Sequence, residues 1–422
     1  MTGRSADRPA LRRDIGPLGS ALLCFNGIVG AGIFALPGTL HAQFGAWSPW
    51  LFPLFGSLFL LVVIPFARLA SLFPVSGGPV AYTAVLGAPV SFQVGWLYFL
   101  ARVTALAANG TVFATYAGAL WSPLGSLVGR SVVLVSLIAL LTWINLVGVR
   151  RAVRALDALS LLKAAPLIGL ALWALAAAGP LPNGPPPTLS GLESAALATL
   201  YAFVGFENSV VPAAETRRPE RTIPRALIAT VLATAALYTL VQLAYAAVMP
   251  TGPQPDAPLA AMAEMLIGPA GLVILSLAAM ASVAGNLLGS LTSTPRVLLG
   301  LSEEHLLPSW FGRIHAHWHT PTNAILFMGT IGLALALSGS FVWLAVVSTL
   351  ARLFVYGASL LALPLAARRL SRPIGAALLA ITGAGLLLCV WAAAQGSFSS
   401  WTMLGASLVA GALLFVVARR RP

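Results

Sequence analysis

The chain has 422 residues, of which 59% are hydrophobic and 8% charged, and its mean hydropathy is +0.91. Soluble domains carry about 25% charged residues, so this balance excludes a soluble globular chain and marks an integral membrane protein. A net charge of +13 would fit nucleic acid in a soluble protein, but a nucleic-acid face clusters Lys and Arg with interleaved aromatics. Here Lys163 is the only lysine, and the arginines fall in short groups between apolar runs.

A membrane-crossing helix takes about 20 apolar residues. Windows of that size predict twelve spans, at 16–40, 47–67, 90–117, 130–148, 156–178, 193–214, 224–249, 269–300, 321–338, 341–367, 373–394 and 399–418. Arginines precede the first run, as in a signal peptide, but no small-residue cleavage site follows it, so it reads as a retained span. Cys24 and Cys389 both lie inside apolar runs, which argues against a disulfide framework. With residues 1–15 as a cytoplasmic tail, 20 of the 24 basic residues fall on the inner side and only Arg130 at an outer boundary. The positive-inside rule then places both termini in the cytoplasm. The expected fold is an all-α integral membrane protein of about 12 transmembrane helices.

Span 1 contains Gly27, Gly30 and Gly32, with Pro37 and Gly38 beyond. Each glycine is about 1 kcal/mol less favourable in a helix than alanine, and non-helical backbone at membrane depth is tolerated only in protein or beside a cavity. The spacing is not that of a dinucleotide loop, and no strand precedes it. Five spans later, Gly205 and the polar pair Glu207 and Asn208 interrupt span 6, with Pro212 following. Interrupted segments at corresponding positions of two halves point to a transporter site between inverted repeats. The expected arrangement is therefore five plus five, with spans 1–5 (16–178) and 6–10 (193–367) as the repeats, helices 1 and 6 discontinuous, and 373–418 as two added spans.

A broken helix leaves N–H groups unpaired on its second half and carbonyls on its first. The N–H groups near Gly30, Ala31 and Gly32 would face an anionic carboxylate, assisted by the helix dipole. Carbonyls near Ile28 and Phe203 would accept from an ammonium. A small ligand carrying both charges is an α-amino acid, whose side chain this geometry leaves open.

The stretch from Gly27 to Pro37 resembles the first-span signature of the amino acid-polyamine-organocation superfamily of secondary transporters. Phe203 to Glu207, running on through Glu215, Pro219, Pro224 and Arg225, resembles its sixth-span signature. The segments 74–82 and 295–308 are also similar to that superfamily, so the likeness covers spans 1–10. The resemblance implies alternating access, with substrate held between the breaks of spans 1 and 6. It also implies a gating and proton-responsive role for Glu207 and a lid over the bound amino acid at Tyr201. Lys163 resembles a fifth-span lysine whose ammonium, in some relatives, stands where others bind sodium between spans 1 and 8. Its hydroxyl partners would be among Ser290, Thr292 and Ser293, and Lys163 is also a candidate carrier of a coupling proton. The alternative for Lys163 is a side chain that snorkels to the interface near Asp157.

Arg102 in span 3 and Arg352 in span 10 depart from the expected family pattern. An intramembrane charge costs at least about 2.5–3.5 kcal/mol on insertion scales and is a functional-site candidate by default. Arg102 would either pair with Glu207 or face an acidic substrate side chain; the bland reading is a pair that neutralises itself in the bundle. Asn109 and Asn286 read more naturally as interhelical hydrogen bonds than as pocket groups. His315, His317 and His319 alternate in a basic loop with no nearby Asp, Glu or Cys, which favours a solvated stretch over a metal site. No cofactor or metal is expected.

These residues lead to a sodium-independent amino acid permease of the inner (plasma) membrane, working by proton coupling or exchange. The lipid bilayer is its surroundings, nucleic acid is no partner, and either a monomer or a homodimer is open. The alternatives are an exporter or antiporter of amino acids or polyamines with the same fold, or a non-transporting sensor. A membrane-embedded enzyme would need clustered His, Asp or Cys facing one cavity, and no span offers that set, so the chain is not expected to be an enzyme.

Overall fold

A computed structural model describes residues 13–75, 77–148, 150–179, 184 and 186–420, with the backbone alone over 150–163. Among these residues every regular element is helical, apart from one isolated parallel bridge between Ile15 and Thr216. Span 1 is two helices, Pro17–Ile28 and Ala31–Phe44, and span 2 is Leu51–Leu72. Spans 3, 4 and 5 are Ala88–Leu120, Leu127–Val147 and Arg150–Ala177. Span 6 starts as Leu189–Tyr201, and span 7 is Pro219–Val248. Spans 8 to 12 are Pro269–Glu303, Thr322–Ser338, Phe341–Arg369, Ala376–Ala394 and Phe398–Arg420. The all-α, twelve-span expectation is met, with boundaries shifted by a few residues.

Local chemistry sets many of these boundaries. The side chains of Ser126, Thr188 and Ser340 accept from the backbone N–H groups of Gly129, Gly191 and Trp343 and so cap spans 4, 6 and 10. Span 4 ends at Gly148, held at φ +76, where glycine avoids the steric cost of a left-handed turn.

The breaks fall where the glycines predict, but they differ in form. Span 1 is interrupted only at Val29 and Gly30, and Gly27 and Gly32 remain helical. Span 6 does not resume as an α-helix: after Tyr201 the chain makes two short 3-10 turns, Phe206–Ser209 and Ala213–Glu215. Two α-helices outside the spans escape the sequence reading, the five-residue Pro79–Thr83 after span 2 and a longer one before span 8. The ten-residue helix Pro258–Ile267, packed on span 8, is too short to register in a span-length hydropathy window.

Burial orders the bundle. The most apolar stretch of span 3 is 94% buried, against 11% for span 12, so span 3 is the central pillar and span 12 a lipid-facing edge. Span 3 packs along spans 8 and 10, and span 2 packs along span 7. Cys24 and Cys389 are both free and buried. On the face where the chain begins, here called the N-terminal face, Ile15 donates to the Glu215 carbonyl and accepts from the Arg217 N–H, at 3.0 and 2.8 Å. These bonds tie the start of the chain to the segment that follows span 6.

Candidate functional site

The two breaks face each other across a contact that only glycine permits. Gly205 sits at φ +108, and a Cβ there would lie 2.2 Å from the Gly27 carbonyl oxygen; a Cβ on Gly27 would lie 2.2 Å from that of Gly205. The backbones of spans 1 and 6 therefore touch directly. Above this contact lies a cavity of about 20 Å³, lined by Gly27, Ile28, Gly30, Ala31 and Gly32 of span 1. Arg102, Ala105 and Asn109 of span 3 complete it with Tyr201, Val204, Asn286 and Arg352. Residues 102, 105 and 109 recur at helical spacing, so one face of the central pillar looks into the cavity.

Two asparagines hold the ends of the broken helix. The Ala31 N–H, the first of the second half, donates to Asn109 Oδ1 at 3.0 Å. On the first half, the carbonyls of Asn26 and Gly27 accept from Asn286 Nδ2 at 2.8 and 3.4 Å. A Cβ on Gly30 would lie 3.0 Å from Asn109 Oδ1 and 3.2 Å from Asn286 Nδ2, so glycine leaves room for both amides. The interhelical bonds expected of both residues are present, and both side chains line the cavity as well.

Below the cavity, toward the N-terminal face, two arginines divide the work. Glu207 is fully buried and its Oε1 accepts from Arg352 Nε at 2.9 Å. Its Oε2 accepts from the Tyr356 hydroxyl and from the Gly205 N–H, both at 2.9 Å. Arg352 also donates to the Ala101 carbonyl at 3.1 Å and to Ser348 Oγ. The proposed pairing of Arg102 with Glu207 is thus replaced, because Arg352 reaches the same carboxylate from span 10. Arg102 instead donates to Asn208 Oδ1 at 2.9 Å, Ser293 Oγ at 3.2 Å and Thr294 Oγ1 at 3.3 Å. It ties spans 3, 6 and 8 together as the cavity floor.

Other predicted residues fall elsewhere. Phe203 does not line the cavity; its ring packs against Phe52, Phe59 and Tyr238 at centroid distances of 6.4, 6.2 and 6.0 Å. Gly205 shapes the site through its contact with Gly27 and does not line the cavity either. The Ile28 carbonyl accepts from the Tyr238 hydroxyl at 3.2 Å. Thr292 donates to Asn145 Oδ1 at 2.7 Å and Ser293 is taken by Arg102, so two of the hydroxyls expected near Lys163 have other partners. The side chains of Lys163 and Asp157 lie outside the described residues.

Toward the opposite face, Tyr201 meets Phe341 edge-on with ring centroids 5.8 Å apart. Tyr201 lines the cavity, while Phe341 lines a vestibule of about 270 Å³ with Thr39, Tyr116, Arg130, Gln254 and Asp256. The Tyr201–Phe341 pair thus bridges the linings of the two spaces.

The family model described as "Amino acid permease" matches residues 15–418, almost the whole chain. The chain belongs to the amino acid permease family. An uncharacterized transporter of Mycobacterium tuberculosis is 29% identical over 338 residues, covering 77% of this chain and 74% of its own length. A branched-chain amino acid permease of Bacillus subtilis is 27% identical over 370 residues, covering 81% and 77%. The permease is accordingly a multi-pass membrane protein.

Proposed function

We propose that the permease is a sodium-independent secondary transporter of amino acids, working by alternating access and coupled to protons or to counter-exchange. The observation that carries this reading is the pair of asparagines on the broken helix. Asn109 offers an oxygen to the Ala31 N–H as a substrate carboxylate would, and Asn286 offers an N–H to the Asn26 and Gly27 carbonyls as an ammonium would. An α-amino acid carries both groups and can replace both asparagines in one binding event.

The repeats 16–178 and 193–367 are part of the same proposal. The first half of span 1 packs on the turn after Gly205 in span 6, span 2 on span 7 and span 3 on span 8. Contact between elements five apart is what a pseudo-twofold axis between inverted repeats brings about. Residues 373–418 add two outer spans. The inner-side arginines favour cytoplasmic termini in a cell's inner membrane, which makes the vestibule beside Phe341 the external mouth. Tyr201 would be the outer lid, and Glu207 with Arg352 the inner gate.

Sodium independence rests on protein donors at the break. The Asn26 and Gly27 carbonyls already receive an N–H, and Lys163 is proposed to bring an ammonium to the region between spans 1 and 8. Lys163→Ala is expected to cut flux at least about tenfold, on the scale of one lost charge-assisted hydrogen bond. Wild-type flux in that variant would overturn the ammonium-for-sodium assignment.

The test of the whole reading is uptake of radiolabelled amino acids by the purified permease in liposomes. Sodium, an inward proton gradient and preloaded unlabelled amino acid are varied separately. Uptake without sodium is expected, driven by the gradient or requiring preload. Strict dependence on sodium would overturn the coupling, and binding without flux would make the protein a sensor.

A further inference from the structure

We propose that the cargo carries a second carboxylate, held by Arg102, so that the permease's substrate class is the acidic amino acids. This inference rests on the amino acid transporter reading above and narrows it.

Two cationic side chains line the cavity, Arg102 and Arg352, and both are only 2% exposed. Arg352 is neutralised by Glu207, and that is the only ion pair among the described residues. The acceptors of Arg102 are the neutral oxygens of Asn208, Ser293 and Thr294. Among the described residues the cavity lining therefore carries one net positive charge at membrane depth, where an unneutralised charge is expensive. A zwitterion brings no net charge and leaves this one uncompensated. A substrate with one extra carboxylate cancels it.

Position separates this carboxylate from the α-carboxylate. The α-carboxylate position is at the Ala31 N–H beside Asn109. Arg102 lies seven residues earlier on the same face of span 3, about 10 Å along the helix axis, and its side chain points further toward the start of that span. The two anion-binding points thus lie at opposite ends of the cavity, with the small Ala105 between them. Glutamate, whose two carboxylates stand further apart than those of aspartate, reaches from one to the other once Arg102 leaves its present acceptors and a hydrogen bond of about 3 Å is added at each end. A guanidinium binds a carboxylate through two parallel bonds, which the three scattered neutral acceptors do not match. When the substrate takes those donors, Arg102 releases Asn208 and Ser293, and the tie between spans 3, 6 and 8 loosens. Loading an acidic side chain would thereby unlock the floor. A branched apolar side chain would leave Arg102 as found, so the proposal departs from the substrate class named for the Bacillus relative.

The experiment compares L-glutamate, L-aspartate, L-glutamine and L-leucine as labelled substrates of the full-length permease in liposomes, with and without chloride. Glutamate or aspartate is expected to outrun glutamine by at least about tenfold, the range for hydrogen bonds to a charged group. Arg102→Gln is expected to lower the ratio of acidic to neutral flux by at least about tenfold, with Arg102→Lys intermediate. Should Arg102→Gln fail to fold, the wild-type ratio alone decides. Faster wild-type uptake of leucine or glutamine would overturn the proposal while leaving the transporter reading intact. Chloride-dependent uptake of neutral amino acids would also overturn it, by placing an inorganic anion on Arg102. Flux of no amino acid at all would overturn both.

Discussion

Glu207→Gln is expected to abolish uptake and to destabilise the protein by about 3–5 kcal/mol, the usual result of breaking a buried ion pair from one side. The carboxylate of Glu207 accepts from Arg352, Tyr356 and the Gly205 N–H at once. An amide of the same shape turns a donor toward at least one of these donors and leaves the Arg352 guanidinium charged in a dry site. The double variant Glu207→Gln with Arg352→Gln removes both charges and is expected to recover much of the lost stability without recovering flux. Thermal melts in detergent beside flux in liposomes separate the two effects. Melting temperatures that fall further in the double variant than in the single one would show that the ion pair is not the source of the loss. Where uptake is proton-driven, the single variant is expected to flatten its pH dependence in any residual flux, and an unchanged profile would move the proton to another group.

Gly205→Ala is expected to prevent the two breaks from meeting. The residue sits at φ +108, and a Cβ in left-handed backbone costs about 1–2 kcal/mol before any contact is counted. Here the added carbon would also fall 2.2 Å from the Gly27 carbonyl oxygen, and backbone cannot give way as a flexible side chain can. Spans 1 and 6 must then separate, which opens the floor below the cavity and exposes Glu207. The expected outcome is loss of monodisperse protein on size-exclusion chromatography, or a folded species without flux. Gly357→Ala in span 10 is the control, since a Cβ there meets nothing within 4 Å. It should change stability by no more than about 1 kcal/mol, in the stabilising direction. A normal melt and normal flux for Gly205→Ala would remove the glycine contact from the account of the site.

What the sequence reveals here is what hydropathy and backbone preference encode locally. Twelve spans follow from apolar length, and the breaks follow from Gly27, Gly30, Gly32 and Gly205, because a glycine's effect is largely exerted where it stands. Side-chain partnership is another matter. Arg102 and Arg352 look equivalent in the sequence, each a lone arginine in an apolar span. Which one reaches Glu207 depends on how spans 3 and 10 rotate against span 6, a result of packing over the whole bundle. Asn109 and Asn286 are hidden by the same fact, for an asparagine in a span looks identical whether it bonds a neighbouring helix or the end of a broken one. Phe203 stands in the break, yet its ring turns to aromatic residues of spans 2 and 7. The second half of span 6 has apolar length enough for a helix, but the ion pair at Glu207 and the turn at Gly205 claim its backbone.

The small volume of the cavity bears on the part that water plays in the proposed cycle. A space of about 20 Å³ admits about one water molecule, far less than an amino acid with its hydration shell. Under the proposed alternating access, opening to either side wets the site and closing dries it again, so that each turnover is a small hydraulic stroke in which solvent enters and leaves together with the cargo. Solutes too large to enter the vestibule and excluded from the protein surface favour the dry state. Raising their concentration should slow opening without touching a single residue, so the permease would respond to osmotic stress on the membrane it crosses.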